Sequence, residues 1–525
     1  MTVRFPTPRA AFAVVCLGLI VAAGRGQVAG QGRSSRVVLQ DTGLEGVDRG
    51  LRDQGAVREP RGQSLRARSM ATQADGTTTE RLYRAGSVIV KFRDGTGQST
   101  VLSAMRQVEG SGTERLSYAN FDIMSIAADA DPEAVAATLR ERDDVEYAQP
   151  RYLNVPMLRP NDPLYSQQWN FPAIDMERAW DIQPQAGDQI TVAVLDTGVA
   201  FRTSSVRYNS RFPFQLTPGG SLYPPLGVVD VPYAVAPELG TAKFVSPHDF
   251  IWGDDLPFDL DGHGTHVSGT VGQLTNNGQG VAGLAYNVRI MPVKVLDGDW
   301  DYIFDSPEIG TDDTLARGIR YAVDNGAKVI NMSLGRTGGG PARVVEDAIR
   351  YAVSHGTFVA VAAGNSGDTG NAANRTAEPA PSIDGMVAVG AVGRALERAF
   401  YSTTNAYVEI TAPGGDQRRD GLAGGVLQQT LDEDFVFTFD RGPARTTAPR
   451  GDMFAYEFFQ GTSMSTPHVA AFAAMLMQQG ITSPAAIEAI MKQTARDLGT
   501  PGNDSSYGAG LIQPRAALRG TGLAK

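Results

Sequence analysis

Five uninterrupted apolar runs constrain the fold more than any other feature of the chain. They are ITVAVL (Ile190–Leu195), VRIMPVKVL (Val288–Leu296), AKVINMSL (Ala327–Leu334), TFVAVAA (Thr357–Ala363) and MVAVGAV (Met386–Val392). A strand with one wet face alternates apolar and polar side chains, so runs without alternation belong to strands covered on both faces. Between them lie DDTLARGIRYAVDNG and PARVVEDAIRYAVSHG, amphipathic helices that each close on a glycine, Gly326 and Gly356, where a left-handed C-cap is needed. Strand, helix, strand in repetition predicts an α/β domain of three layers, a parallel sheet with helices on both faces. In such sheets chemistry gathers at the carboxyl ends of the strands.

Three polar residues stand where that rule directs attention. Asp196 follows ITVAVL directly, in VAVLDTGVA, well placed to orient a partner; an ordinary Asx turn would use the same residue. His263 lies in DLDGHGTHVSGTVG between two glycines that admit close approach to its ring, with Val267, Val271 and Leu274 as a stripe behind it. A lone histidine is more often structural. HGTH is a poor metal pair, because its spacing is three rather than four and no Glu follows the first His. Ser463 opens GTSMSTPHVAAFAAML, whose apolar surface nearly encircles the helix and so predicts burial. Pro467 is expected in the first turn, where a missing N–H costs little. A serine at that start is either a cap or a nucleophile beside unpaired N–H groups that can receive an oxyanion.

VAVLDTGVA, DGHGTHVSGTVG, VAAGNSGD and GTSMSTPHVA, in that order, resemble the four signature segments of the subtilisin-like serine peptidases over about residues 160–520. The α/β-hydrolase alternative needs the order Ser, acid, His and a G-x-S-x-G elbow, and here Ser465 occupies the last glycine position. The resemblance implies that Ser463 attacks the scissile carbonyl, that His263 takes its proton and that Asp196 holds the imidazole. It makes Asn365 an oxyanion donor together with the Ser463 N–H; in the family member subtilisin, losing one such donor costs about 10²–10³ in turnover. Ser333, Leu334 and Gly335 match the strand that pairs with an extended substrate, and Ala362, Ala363 and Gly364 the primary pocket. Glu378 is expected near the rim of that pocket, favouring a basic residue. LTNNGQGVAG resembles the family's calcium loop, with Thr275, Gln279 and Val281 giving carbonyls and Asn277 a side-chain oxygen to a structural ion. No acidic ligand is identifiable, and the chemistry itself requires no cofactor. Two segments, about 200–250 and 416–459, exceed what compact members of the family need, and the second is expected to hold a β-hairpin in QQTLDEDFVFTFDRG.

Ahead of this domain the chain divides further. Residues 1–30 carry Arg4 and Arg9 before AFAVVCLGLIVAAG, an apolar run too short to span a bilayer comfortably, which reads as a cleavable export signal. The sole cysteine, Cys16, lies inside it, so the mature protein is expected to lack disulfides and to be extracellular or in the cell envelope. Residues 31–85 read as a disordered linker. Residues 86–153 form a small α+β module: SVIVKF and FDIMSIA as strands, STVLSAMRQV and DPEAVAATLRERDD as helices, and VEYAQPRYL as an extended tail. This module resembles the family's propeptides, implying an intramolecular inhibitor that is cut off near residues 150–162. The peptidase domain is then expected at 154–525; SSYGAGLIQPRAAL resembles the usual close of that domain, so no further module is expected after it.

Acidic residues (57) exceed basic ones (47), which argues against nucleic acid as a partner. The expected partners are protein or peptide substrates and the propeptide, for a monomer with no membrane span in its mature form. Two other readings use the same residues: an inactive relative kept as a binding module, and an esterase.

Overall fold

A computed structural model describes residues 66–72, 78–152, 159–215, 222–436 and 448–522. The signal segment with Cys16, the first part of the expected linker and residues 153–158 of the expected cleavage region lie outside them. The chain divides into two compact units, 1–153 and 154–525.

The first unit contains β1 (Arg66–Thr72), β2 (Thr78–Phe92), α1 (Gln98–Gln107), β3 (Gly112–Glu114), β4 (Asp122–Ser125), α2 (Pro132–Arg140) and β5 (Val145–Tyr152). The long strand β2 is the hub of its antiparallel sheet, pairing with β1, β4 and β5. Asp131 caps α2 by accepting from Glu133 N at 3.0 Å, and Pro132 occupies the first turn, as its pattern predicts. Val88, Val90, Met124, Ala136 and Leu139 meet in a small core. The boundary between linker and module differs from expectation. Strands begin at Arg66 and Thr78, inside the stretch assigned to the linker, because main-chain pairing of β1 with β2 leaves no apolar periodicity in RARSMAT or TTERLYRAG. The tail VEYAQPRY is extended as expected, and pairs with β2 as a strand.

The second unit is built on β6 (Thr191–Asp196), β7 (His248–Asp249), α3 (His263–Gly272), β8 (Arg289–Lys294), α4 (Asp312–Asp324), β9 (Val329–Met332), α5 (Arg343–Ser354), β10 (Phe358–Ala362), β11 (Met386–Val392), β12 (Ile410–Pro413) and α6 (Thr462–Gln478). Among the described residues these strands make one parallel sheet of seven, ordered β7-β8-β6-β9-β10-β11-β12. Its apolar runs are explained by their neighbours. Val192 and Val194 join the core that contains Val267 and Val271 of α3 and Val469 and Phe472 of α6. Ala193 and Leu195 join a second core with Leu315 and Ile319 of α4 and Val345 and Ile349 of α5. Successive residues of one strand thus enter opposite layers, and neither can be polar without an unmatched buried group. The helices α4 and α5 are followed by Gly326 (φ +91°) and Gly356 (φ +81°), the left-handed residues that end them.

Pro467 lies in the second turn of α6 rather than the first. A proline there leaves the carbonyl four residues earlier, that of Ser463, without its helical N–H partner. The Ser333 hydroxyl donates to that carbonyl at 2.7 Å and replaces the missing bond.

Both extra segments are folded onto this unit. In the first, Ser204–Ser210 pairs antiparallel with Gly227–Tyr233, and the Tyr208 and Tyr233 hydroxyls meet at 2.9 Å. Tyr208 stacks on Phe304 at 4.4 Å between ring centres. Close by, Lys294 and Asp301, each 1% exposed, form an ion pair at 2.8 Å to which the Trp252 indole N–H also donates. In the second, Val426–Leu431 pairs with Phe454–Phe459. An antiparallel pair is present as expected, but its second strand is FAYEFF, beyond QQTLDEDFVFTFDRG, and residues 437–447 lie outside the described ones.

Candidate active site

Strand β6 delivers Asp196 to its carboxyl end, fully buried. One oxygen, Oδ1, accepts from the Thr197 N–H at 2.8 Å and lies 2.7 Å from His263 Nδ1 at the start of α3. Two glycines permit this approach. A Cβ on Gly198, which sits at φ +114°, would lie 2.6 Å from Phe258 O, and one on Gly264 would lie 2.1 Å from Gly198 O. Any side chain at 264 would therefore push α3, and His263 with it, away from the carboxylate.

Asp259, 1% exposed, ties the same parts together. Its Oδ1 accepts from the Thr197 hydroxyl (3.1 Å) and from the N–H groups of Asp261 (3.0 Å) and Gly262 (2.9 Å). Its Oδ2 accepts from the Thr265 N–H (2.9 Å) and hydroxyl (2.6 Å), while Thr197 Oγ1 accepts from Gly264 N–H (3.0 Å). One carboxylate thus links the turn after β6 to the first turn of α3. Sequence reasoning missed it, since an acid four residues before a histidine looks like any solvated side chain.

Burial opposes a charge on His263, whose side chain is 17% exposed, but Asp196, with its hydrogen bond, and then Asp261 and Asp259 outweigh it and raise its pKa to about 9. With Nδ1–H directed at Asp196, the neutral ring keeps its lone pair on Nε2.

At the start of α6 only Ser463 is partly exposed; Thr462, Ser465 and Thr466 are buried and occupied. Ser465 donates to Ala412 O (3.0 Å), Thr466 to Thr462 O (2.8 Å) and Thr462 to Asn365 Oδ1 (2.8 Å). The Ser463 hydroxyl donates to Ser333 O at 3.0 Å rather than to His263. Asn365 Oδ1 also accepts from the Thr462 N–H at 2.9 Å. A point one Cβ bond out from Gly461 lies 3.4 Å from Asn365 Nδ2 and 3.6 Å from Ser463 N, so two donors flank a single space beside the serine. Asp196, Ser333 and Asn365 stand at or just past the ends of the neighbouring strands β6, β9 and β10. Ser333, Leu334 and Gly335 run on from β9, and Ala362, Ala363 and Gly364 close β10 beside them. Glu378 takes two contacts from Arg375 Nη1 (2.7 and 2.9 Å), which offsets its charge and removes the basis for a basic preference through it.

The profile described as the Subtilase family matches residues 187–510, more than half of the chain. The chain belongs to the subtilase family. It is a serine endopeptidase, and residues 69–151 match the fervidolysin N-terminal prodomain, so this subtilase has the make-up of a zymogen. A thermophilic serine proteinase of Bacillus sp. (strain AK1) is 31% identical over 81% of this chain and 86% of its own. An extracellular protease of Xanthomonas campestris is 32% identical over 69% of this chain and 57% of its own. The solved structure of a protease from Pseudoalteromonas arctica is 30% identical with a TM-score of 0.51, covering 69% of this chain and 99% of that one. Among the described residues of this subtilase no helix is long and apolar enough to cross a membrane.

The loop from Thr275 to Val281 has two acidic neighbours in this subtilase that the sequence did not disclose. Asp162, 4% exposed, accepts from Asn276 N (2.8 Å) and Asn277 N (3.4 Å). Glu238, 1% exposed, accepts from Val281 N and Gln273 Nε2, each at 3.1 Å, and from the Tyr456 hydroxyl. Asn277 Oδ1 accepts from Gln279 N at 2.9 Å. The donors around this loop, two buried carboxylates, an amide oxygen and main-chain carbonyls, are all oxygens, the chemistry that suits calcium rather than a softer metal. Burial pushes the Asp162 carboxyl above its ordinary range, an effect a nearby cation reverses. Among the described residues no group of three or more His, Cys, Asp or Glu is arranged to hold a metal, so most donors here would be neutral oxygens.

Proposed function

We propose that this subtilase is a secreted, self-processing endopeptidase whose triad is Asp196, His263 and Ser463. The observation that carries this reading is the 2.7 Å contact between His263 Nδ1 and the buried Asp196, which makes Nε2 the basic nitrogen of the neutral ring. Ser463 attacks the peptide carbonyl as His263 removes its proton; the oxyanion is held by Asn365 Nδ2 and Ser463 N–H; His263 then protonates the leaving amine, and water releases the acyl group by the same route. Ser333, Leu334 and Gly335 pair with the substrate backbone, and Ala362, Ala363 and Gly364 line the pocket before the scissile bond. The module ending near residue 153 inhibits the enzyme until it is cut, between about 150 and 162. The name of the Xanthomonas relative supports export, as does the apolar segment after Arg9.

Reaction of the purified protein with a fluorophosphonate, alongside casein and a short-chain ester as substrates, tests the reading. Labelling with casein hydrolysis supports it; an unlabelled protein, or one active on the ester alone, refutes it. The first residue of the mature form reports the maturation bond.

His263 must be neutral to act as base, so activity rises as pH passes upward through its pKa. Because Asp196 and its neighbours lift that value to about 9, the ascending limb of kcat/KM is expected above pH 7. A flat profile from pH 5 to 9 would contradict the role.

Calcium belongs to the same proposal as a structural ion, held by Asp162, Glu238, Asn277 and the carbonyls of Thr275, Gln279 and Val281. Such an ion stabilises by about 2.7 kcal/mol at a hundredfold excess over its Kd. Heating with chelator is expected to lower Tm by several degrees relative to calcium-loaded protein, and equal midpoints would count against the site.

A further inference from the structure

A subtilase that binds substrate along Ser333–Gly335 directs the side chain preceding the scissile bond into the gap between that segment and Ala362–Gly364. In this chain the gap is occupied. Asn374, 3% exposed, reaches between the two walls, and its Nδ2 donates to both, to Leu334 O at 3.1 Å and to Ala362 O at 2.7 Å. Its Oδ1 accepts from Thr376 N at 3.0 Å. The contacts leave no slack: a Cβ on Gly335 would lie 2.0 Å from Asn374 Oδ1 and 2.2 Å from Nδ2, and one on Gly364 would lie 3.4 Å from Asn374 Cβ. The backbone is braced as well, since Asn374 N–H donates to the Tyr407 hydroxyl (2.9 Å), which itself donates to Ala363 O (2.9 Å).

Both amide protons and one lone pair of Oδ1 are therefore committed, and swinging the side chain aside would strand two buried carbonyls. A large side chain entering between these segments would meet a fixed amide already bonded to both of them. We infer that Asn374 closes the base of the primary pocket and restricts cleavage to bonds that follow small residues such as Ala, Ser or Gly. This inference rests on the triad and substrate-strand assignments proposed above and adds to them the class of peptide the enzyme selects.

Tetrapeptide p-nitroanilides that differ only in the residue before the scissile bond (Ala, Leu or Phe) test it, with competent sites counted by fluorophosphonate titration. Wild type is expected to favour Ala over Phe in kcat/KM by at least about tenfold, the scale on which hydrophobic pockets discriminate by size. Asn374→Gly, which empties the base, and Asn374→Ser, which shortens it while keeping one donor, should each raise the Phe-to-Ala ratio by about tenfold or more per titrated site. Two variants guard against one that misfolds, because the ratio is read only on sites that titrate. Wild type that prefers Phe or Leu, or a ratio unchanged in a variant that titrates normally, would overturn the inference while leaving the triad intact. Wild type that neither labels nor cleaves would instead remove the triad reading, and this one with it.

Discussion

Ser463→Ala is expected to lower kcat by about 10⁶, with little change in KM and no fluorophosphonate labelling. The scale comes from subtilisin, where removing the equivalent hydroxyl costs about 2 × 10⁶ and a residue of roughly 10³–10⁴ over water persists from oxyanion binding and positioning. The substitution is well suited to separating chemistry from folding. Ser463 loses only a hydroxyl bond to Ser333 O, at a partly exposed position, while its own carbonyl keeps the bond from the Ser333 hydroxyl. The variant should therefore fold, and it should also accumulate with its N-terminal module still attached, whereas wild type should shed it. A variant that matured normally when expressed alone would refute self-processing even if the loss of turnover were as large as stated.

Asp196 offers the second large effect and a way to divide it. Asp196→Ala is expected to reduce kcat by about 10⁴, comparable with the loss at the same role in subtilisin. Asp196→Asn should lose less, by tenfold or more, for a reason specific to this geometry. Oδ1 accepts from both Thr197 N–H and His263 Nδ1, whereas Oδ2 is buried without a hydrogen-bond partner among the described residues. The Thr197 N–H would reject an amide nitrogen at the first position, so the asparagine must place its oxygen there and keep the imidazole in the useful tautomer. What it loses is the charge that stabilises the imidazolium, and its stranded NH₂ costs about 1–3 kcal/mol of stability. In both variants the ascending limb of the pH profile should move down, because the carboxylate that raises the His263 pKa is gone. Equal losses in the two variants would show that tautomer control is not what Asp196→Asn preserves.

The features legible in the sequence were those written in short range. ITVAVL and MVAVGAV declared themselves as doubly covered strands because each of their residues faces one of two helical layers, and Gly326 and Gly356 marked helix ends by a backbone need no other residue meets as cheaply. The motif residues lay beside the glycines that make their approach possible. The illegible features depend on partners distant along the chain. Asp162 reaches a loop 114 residues later, and Glu238 lies within an extra segment that removes every local cue to its place. Asn374 reads as one more polar residue in NAANRTAEP, and only the pairing of β9 with β10 brings the two segments it bridges side by side. β1 was missed because main-chain pairing does not depend on side-chain alternation.

Pro467 has a consequence for how this enzyme can be improved. By giving up one rung of its own ladder, the helix leaves the carbonyl of Ser463 free to be hitched by the Ser333 hydroxyl to a neighbouring segment. A search for thermal robustness would single out that proline for replacement by a better helix former. Restoring the rung would set an N–H in competition with the hitch, trading the tie between Ser463 and Ser333 for a sturdier rod.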